Sequence, residues 1–259
     1  SGIGDKEHLK QFDKEIIIDN SNVGRNLQDH LGLDYLFKTH HHSLNKSLGT
    51  WPGRITSVLR YIYNRKGPLS LSINQSGGYV NWNSKHHYPN LQIYFNPLTY
   101  SITHKNKRPL LKTDKFNGFI IGYNSCRPKS LGRVALNSPN FEDAPLIDPN
   151  FLSHEEDIYD VKCAINFSQV LANTNSIKKI RNESVKHDLL NATEEEMINH
   201  FKSNAVSIYH PCGTCKMDED PKKGVVSERL KVHGMENLWI ADASVFPNIT
   251  SGNINAPVM

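Results

Sequence analysis

Two short segments near the C-terminal end of the sequence hold the residue types best suited to chemistry. Residues 210–217 read His-Pro-Cys-Gly-Thr-Cys-Lys-Met, and further on Gly252 is followed by Asn253 and Asn255. A neutral imidazole can take up a proton near neutral pH, so His210 is a candidate general base. The two amides offer donors and acceptors, and Gly252 permits unusual dihedrals where a ligand approaches closely. A lone histidine is more often a satisfied polar group, so the hypothesis requires both segments to act together.

Cys212 and Cys215 leave two other chemistries open. A redox Cys-x-x-Cys pair normally stands at the start of a helix after a strand, where the helix dipole lowers the thiol pKa. A structural zinc site needs four ligands, and although His210 and His233 could complete one, their spacing matches no familiar site. The histidines at 40–42 lack carboxylates or cysteines at fixed spacing and indicate a solvated loop. We therefore expect a structural role for both thiols and no metal.

Composition excludes several functional classes. The 259 residues carry 30 Lys+Arg and 26 Asp+Glu, and this formal charge of +4 is too weak to indicate a nucleic-acid partner. No run of about 18 apolar residues occurs, so we expect no membrane-spanning helix. Asn-x-Ser/Thr sequons, the acceptors for N-glycosylation, favour a secreted, extracellular protein. The sequons begin at Asn45, Asn74, Asn166, Asn182, Asn191 and Asn248.

Hydrophobic patterning predicts the elements that must position these residues. β-rich or alternating runs bounded by Pro, Gly or Asn predict strands of an antiparallel sheet. These runs are residues 31–37, 90–95, 116–123 and 132–137. Two further runs, residues 15–19 and 237–242, predict short buried strands. Apolar residues at helical spacing predict helices over 52–65 and 154–172, and Ser153 and Thr193 each begin a Ser/Thr-x-x-Glu capping box.

Taken together, these segments resemble the glucose–methanol–choline (GMC) family of FAD oxidoreductases, and most closely its insect glucose-dehydrogenase-like branch. The C-terminal motifs that carry the resemblance are residues 210–217, 224–234 and 238–257. The upstream motifs are Ser1-Gly-Ile-Gly, residues 23–30 and residues 127–150. Because several long motifs occur in the same order, the resemblance covers essentially the whole chain.

The resemblance implies a fold and a set of residue roles. The implied fold class is α+β, with an antiparallel-sheet substrate domain flanked by helices and partial strips of an FAD-binding α/β domain. The strips are expected at 1–32 and 222–259, and the substrate-binding domain with the active-site histidine at 33–221. His210 matches the active-site base, and Asn255 matches the second active-site position. The residues implied near FAD are Asn26, Asp242, Ala243, Asn253 and Ala256, of which Asn26 and Asp242 could equally cap turns.

The implied activity is oxidation of a CH–OH group of an alcohol or sugar, with hydride transfer to the flavin and reoxidation by oxygen or a quinone. In that reaction His210 takes the hydroxyl proton and Asn255 holds the substrate oxygen as charge develops. The family's Gly-x-Gly-x-x-Gly loop does not occur in these residues. We therefore expect the C-terminal portion of a longer protein, inactive by itself. The alternatives are a non-catalytic or degraded binding protein with this fold, and a thiol or zinc protein.

Overall fold

The computed structural model describes residues 1–105, 108–182, 184–185, 188 and 190–259. The chain forms two compact units, each assembled from separate stretches of sequence. The first unit comprises Ser1–Leu31, Ser125–Tyr159 and Ser207–Met259. The second unit comprises Gly32–Asn124 and Asp160–Val206.

Short strands and helices are interspersed along the chain. The strands are β1 (Ile3–Gly4), β2 (Ile18–Asp19), β3 (Arg25–Leu27), β4 (Leu31–Lys38), β5 (Ser76–Val80), β6 (Leu91–Asn96), β7 (Tyr100–Lys105), β8 (Arg108–Thr113), β9 (Gly118–Ser125), β10 (Gly132–Ala135), β11 (Leu146–Asp148), β12 (Ser184–Val185) and β13 (Val206–Ser207). The α-helices are α1 (Lys6–Lys10), α2 (Leu44–Gly49), α3 (Trp51–Asn64), α4 (Glu155–Ala172), α5 (Asn175–Ile180), α6 (Glu194–Asn204) and α7 (Asn255–Val258). Single 3-10 turns cover Pro68–Ser70 and Ala243–Val245. The predicted α+β class is confirmed.

The second unit is built on a sheet with the strand order β12-β4-β9-β6-β5. The pairs β12–β4, β4–β9 and β5–β6 are antiparallel. Strands β4 and β9 pair continuously, with Gly32 opposite Asn124 at one end and Lys38 opposite Gly118 at the other. The strands predicted at 31–37, 90–95 and 116–123 are confirmed as β4, β6 and β9.

Both faces of this sheet are covered, which the alternation in β4 did not predict. Leu36 and Phe37 are adjacent in sequence and point to opposite faces, yet both are buried. Strand β9 is buried along almost its whole length. On one face, Phe201 of α6 stacks on Tyr123 of β9, with the ring centroids 5.8 Å apart. The sheet is therefore the core of the second unit.

Helices α3 and α4 confirm the two predicted helices. Helix α3 begins where the Thr50 hydroxyl accepts a hydrogen bond from the Gly53 N–H. At the start of α6, Thr193 and Glu196 form the predicted capping box, in which each side chain accepts from the other residue's backbone N–H. Within the described ranges, no helix combines the length and the apolar character needed to cross a bilayer.

The first unit contains two small sheets. Strand β10, which confirms the predicted strand at 132–137, lies between β11 and β3 and is antiparallel to both. Strands β1 and β2 form a separate parallel pair of two residues each. The strand predicted at 15–19 is thus reduced to β2, Ile18–Asp19.

The strand predicted at 237–242 is wrong. Trp239 forms one isolated bridge with Lys231, and the segment has no regular pairing beyond it. Leu238 and Ile240 pack against a buried valine cluster, while the Trp239 side chain is 55% exposed. The apolar run is therefore a half-buried extended segment, and not the fully buried strand that its composition indicated.

The structure divides the chain differently from the expected blocks 1–32, 33–221 and 222–259. The first boundary agrees within a residue, but Ser125–Tyr159 and the chain from Ser207 onward belong to the first unit. The pairing of β10 with β3 ties the middle stretch to the N-terminal one. The active-site histidine predicted for the substrate-binding block therefore lies in the first unit. Which unit binds cofactor and which binds substrate stays a prediction.

Candidate active site

The segment 210–217 is held on both sides by backbone hydrogen bonds. On one side, the Cys212 N–H donates to the Gln28 carbonyl at 2.9 Å, and the Gln28 N–H donates back to the Cys212 carbonyl at 3.0 Å. On the other side, the Gly213 N–H donates to the Ala243 carbonyl at 3.1 Å. The segment therefore lies fixed between residues 24–28 and residues 243–245, all within the first unit.

The backbone of His210 is fixed by Asp29, a buried carboxylate. Asp29 Oδ1 accepts from the His210 N–H at 2.8 Å, and Oδ2 accepts from the Ser207 hydroxyl. The Ser207 hydroxyl oxygen accepts in turn from the Tyr209 N–H at 2.9 Å. Tyr209 has a φ of 63°, an uncommon left-handed conformation for an aromatic residue. The carboxylate and the hydroxyl thus stabilise a strained turn that presents His210.

The side chain of His210 bonds to a second histidine, His30. Their Nδ1 atoms are 2.8 Å apart, and His30 Nε2 lies 3.1 Å from the Cys126 carbonyl oxygen. Because a carbonyl can only accept, the proton of neutral His30 is on Nε2 and its Nδ1 is an acceptor. His210 must then donate from its own Nδ1. This assignment leaves His210 Nε2 without a proton, as a general base requires.

Burial lowers the pKa of both imidazoles below the ordinary histidine value. For His30, the hydrogen bond with the Cys126 carbonyl opposes this shift and the His210 ring adds to it. For His210, the Asp29 carboxylate opposes the shift. Both rings are therefore neutral at neutral pH. Among the described residues, none hydrogen-bonds to His210 Nε2, while His210 is buried (7% exposed) and lines neither of the two neighbouring pockets.

Two pockets of the first unit lie next to this segment. One has a volume of about 570 Å³. The polar residues that line it are Asp29, Ser207, Thr214, Asp242 and Ser244. The other has a volume of about 720 Å³ and is lined by residues that include Gly24, Arg25, Arg133 and Thr214. Val134 and Thr214 line both pockets, so the two adjoin. Both volumes are typical of small-molecule sites.

Residues 128–259 match the family described as GMC oxidoreductase. This stretch is just over half of the 259 residues. The chain belongs to the GMC oxidoreductase family. The family resemblance predicted from the motifs is therefore confirmed.

Relatives of this GMC chain act in oxidoreduction. The chain is 34% identical to an alcohol dehydrogenase (acceptor) of Pseudomonas putida, with 100% of this chain and 46% of that protein covered. It is 32% identical to an oxygen-dependent choline dehydrogenase of Cronobacter sakazakii, with 99% and 44% covered. Among solved structures, a formate oxidase of Aspergillus oryzae RIB40 has a TM-score of 0.88 at 25% identity, with 100% and 49% covered. The chain spans about half the length of the relatives that it matches.

The adjoining pockets fit FAD, the cofactor of GMC oxidoreductases. The 570 Å³ pocket combines apolar walls, among them Leu27, Val134 and Phe151, with a few polar groups, as a ring system requires. The 720 Å³ pocket offers Arg25 and Arg133, whose guanidinium groups suit phosphate oxygens, although each lies 3.9 Å from a carboxylate, that of Asp5 or of Asp148. A dinucleotide is long, and two pockets that share walls can hold its two ends.

The predicted cofactor residues are only partly gathered at these pockets. Asp242 and Ala243 line the 570 Å³ pocket. Asp242 also caps a turn, because its Oδ1 accepts from the Ser244 N–H at 2.7 Å. Asn26 has a φ of 62° and donates from Nδ2 to the Gly213 carbonyl at 3.3 Å, beside the pocket wall. The turn-capping alternative thus holds for Asp242, and contact of either residue with FAD stays a prediction.

The remaining predicted residues lie on the C-terminal segment, and their side chains are exposed. Asn253 and Ala256 are outside the lining of both pockets, and Asn255 begins α7. Ile254 is buried and packs in one cluster with Cys212, two residues after His210. The structure therefore brings the two segments together. Among the described residues no hydrogen bond joins the side chains of His210 and Asn255, and their convergence on one substrate atom stays a prediction.

Sequence reasoning missed Asp29 and His30 as individual functional residues. Residues 23–30 resembled a flavin-side motif, but neither side chain was expected to touch His210. A signal was present, because Gln28, Asp29 and His30 form a polar run directly before the apolar strand β4. All three are buried, His30 completely. Buried polar side chains need partners. Asp29 and His30 find them in residues 207–210, whereas the Gln28 side chain bonds to the backbone of Pro128 and Ile249.

The cysteines do not form a reactive pair. All four cysteines are free thiols, and burial raises the pKa of Cys212 to about 12. Burial also raises the pKa of Cys215. A thiol with a raised pKa is a poor nucleophile and a poor metal ligand. Within the part of the chain that the structure describes, no three His, Cys, Asp or Glu side chains are grouped so that they could hold a metal ion.

Proposed function

We propose that this chain is the C-terminal portion of an FAD-dependent oxidoreductase that oxidises a CH–OH group of an alcohol or sugar. The observation that carries the proposal is the buried site of His210, whose Nδ1 lies 2.8 Å from His30 Nδ1. Its Nδ1 donates to His30 and its pKa is lowered by burial, so Nε2 is free and basic at neutral pH. A side chain with these properties is what the removal of a hydroxyl proton requires.

In the proposed reaction His210 Nε2 takes the hydroxyl proton of the substrate. FAD, when bound, supplies the acceptor for the hydride that leaves the carbon bearing this hydroxyl. The alcohol thereby becomes a carbonyl compound. His30 keeps the His210 ring in one tautomer and orientation, and the nearby Asp29 carboxylate stabilises the imidazolium that forms. We further propose that the amide of Asn255 holds the substrate oxygen as its charge develops.

The proposed cofactor contacts follow from the same arrangement. Asp242 and Ala243 would contact FAD from the 570 Å³ pocket, and Asn26 from the turn beside Gly213. Arg25 and Arg133 would pair with phosphate oxygens in the adjoining pocket. We also propose contacts from Asn253 and Ala256, which rest on their match to family motifs alone.

The finer features of the proposal rest on sequence. Membership of the glucose-dehydrogenase-like branch rests on the similarity of the motifs alone, and oxygen and a quinone are alternative acceptors. Secretion rests on the sequons, of which Asn74 and Asn248 are exposed. Asn45 is unsuitable for a glycan, because it is buried and its Nδ2 donates to the Thr99 carbonyl at 2.8 Å.

The decisive experiment replaces His210 in the holoprotein, by which we mean the full-length protein, with FAD bound, of which this chain is the proposed C-terminal portion. His210→Ala should slow flavin reduction by an alcohol substrate about 10²–10⁴-fold, because the proton acceptor is lost. The FAD content should stay unchanged. Stopped-flow absorbance of the flavin measures both quantities.

A second histidine serves as the control. His233→Asn changes a half-buried histidine of the same unit, whose Nε2 contacts the Asp218 carbonyl and not the pockets. Its rate of flavin reduction should match that of the unmodified protein. Unchanged reduction in His210→Ala would remove His210 as the base, and no flavin reduction in the unmodified protein would favour the non-catalytic alternative.

A further inference from the structure

The charges of the chain are distributed very unevenly. Between Asp34 and Asp114 the sequence contains no Asp or Glu. The Lys and Arg residues of this stretch are Lys38, Lys46, Arg54, Arg60, Arg65, Lys66, Lys85, Lys105, Lys107, Arg108 and Lys112. The small net charge of +4 therefore conceals a strongly basic stretch in the second unit. Such a stretch attracts an anionic partner.

Helix α3, in the middle of this stretch, presents its apolar side to solvent. Its large apolar side chains fall within about 100° of arc at 3.6 residues per turn. These side chains, which we call the apolar stripe, are Trp51 (76% exposed), Ile55 (54%), Val58 (44%), Leu59 (61%) and Ile62 (67%). A surface helix of a globular protein normally turns such a stripe towards the core.

The opposite face of α3 is the one that packs on the protein. Ser57, roughly opposite the stripe, is the buried residue of the helix and is 3% exposed. Gly53 lies against α2 so closely that an added Cβ would be 2.4 Å from the Ser47 carbonyl oxygen. Small residues thus seat the helix on α2, and this seating fixes the apolar stripe outward.

The chain that follows α3 carries further exposed apolar side chains and further basic residues. Leu69, Leu71 and Ile73 are exposed as well. At the end of the helix, Arg65 and Lys66 stand beside the stripe, and the Arg65 guanidinium lies 5.2 Å from the Tyr61 ring centroid. Among the described residues, no carboxylate forms an ion pair with either of them. Large apolar side chains with unneutralised cations are therefore grouped on one surface.

We propose that α3 docks this protein on a bilayer surface that contains anionic phospholipids. The helix of 14 residues is too short to span a bilayer, but it suits a position in the interface plane. In this position the apolar stripe enters the acyl boundary and Trp51 lies at the headgroup level. Arg54, at the border of the stripe, and Arg65 and Lys66, at the end of the helix, face the phosphate and carboxylate groups of the lipids.

A second copy of the chain is the less suitable occupant. A symmetric dimer places the same patch of both subunits in contact. Here that would bring two basic surfaces together with no acidic side chain between Asp34 and Asp114 to compensate them. An anionic bilayer supplies both the apolar environment and the opposite charge.

Vesicle binding of the flavin-loaded holoprotein tests the proposal. The protein should float with vesicles that contain about one third phosphatidylserine and remain behind with phosphatidylcholine alone. Added salt should weaken the binding, because it screens the basic residues. The double variant Leu59→Gln, Ile62→Gln should partition at least about tenfold less, because two apolar side chains no longer enter the membrane.

Phe141→Gln is the matched control, because Phe141 is 93% exposed but lies beside Glu142 and Asp143 in the first unit. Its vesicle binding should equal that of the unmodified protein, and FAD content should be equal in all variants. Three results would overturn the proposal. These are no binding to anionic vesicles, binding unaffected by the stripe variant, and dimerisation of the lipid-free holoprotein that the stripe variant abolishes.

Discussion

The proton on His210 Nδ1 has one acceptor, the Nδ1 lone pair of His30, and that acceptor depends in turn on the Cys126 carbonyl. The carbonyl holds the His30 proton on Nε2 at a distance of 3.1 Å, and this leaves His30 Nδ1 free to accept. His30 thereby determines the tautomer of His210 without contact with a substrate. Its role is that of a positioning residue.

Replacement of His30 should separate positioning from simple folding. His30→Leu removes the acceptor and leaves the buried His210 Nδ1–H without a partner, so flavin reduction should slow about 10–100-fold. His30→Asn should restore most of the rate, because its amide can accept from His210 and donate to the Cys126 carbonyl. The measurement is flavin reduction at saturating substrate in samples of equal FAD content. Equal rates for His30→Leu and the unmodified protein would contradict the assignment.

The pH dependence of the same variants gives an independent readout. Both histidines have a folded-state pKa below the ordinary value of about 6.5, so the unfolded chain binds more protons between the two values. Their contribution to the free energy of unfolding is complete above about pH 6.5 and is lost as the pH falls towards the folded pKa. The rate of flavin reduction should also fall as the pH falls, because His210 becomes protonated. In His30→Leu the free energy of unfolding should fall less steeply as the pH falls, because one of the two histidines is absent. The rate of flavin reduction should still fall with the protonation of His210.

Single residues were predicted where a sequence motif contains them. They were missed where only the three-dimensional structure brings them to the site. His210 was predicted as a site residue because it opens a recognisable segment, and its catalytic role stays a prediction. Asp29 and His30 were not, because the sequence separates them from His210 by some 180 residues. The backbone pairing of Gln28 with Cys212 brings them into contact, and no local pattern encodes this pairing.

At the level of elements, the 210–217 segment requires a glycine at its centre. Gly213 has a φ of 87°, and an added Cβ would lie 2.4 Å from the Asn26 carbonyl oxygen. The dihedral alone should cost Gly213→Ala about 1–2 kcal/mol in the free energy of unfolding, and the contact with Asn26 adds to this. Urea unfolding of the holoprotein measures the change.

Gly78→Ala is the control for this substitution. No atom lies within 4 Å of an added Cβ at Gly78, and its φ is not in the left-handed region. We expect a change within about 0.5 kcal/mol there. Similar effects at the two glycines would contradict both the cost of the Gly213 dihedral and the cost of its close approach to Asn26.

Periodicity predicted the existence of the elements better than their surroundings. It found β4 and α3, but it could not show that both faces of β4 are buried. Nor could it show that the apolar stripe of α3 faces solvent, because an amphipathic pattern gives a direction relative to the helix axis only. The prediction of a fully buried strand at 237–242 was wrong for a related reason. Periodicity did not show that Trp239 points to solvent.

At the level of the whole molecule, the order of the segments in the sequence does not show which of them assemble into the first unit. Its three stretches meet through pairings such as β10 with β3, which join residues about a hundred positions apart. The motifs predicted two strips of one domain, 1–32 and 222–259, with a single departure of the chain between them, whereas the chain leaves the first unit twice. Long-range pairing of this kind depends on register and packing, which one sequence does not display.

Gln28 connects all three stretches of the first unit, and its replacement should therefore loosen that unit selectively. Its Nε2 donates to the Pro128 carbonyl at 2.9 Å and its Oε1 accepts from the Ile249 N–H at 3.0 Å, both in buried surroundings. Gln28→Leu leaves these two backbone groups unpaired, at about 1–3 kcal/mol each. Hydrogen exchange should show lost protection in the first unit, while Gly32–Asn124 of the second unit keeps its protection. Gln11→Leu, the same change at an exposed site of the first unit, should leave both units unchanged, and uniform loss in both units of Gln28→Leu would contradict selective loosening.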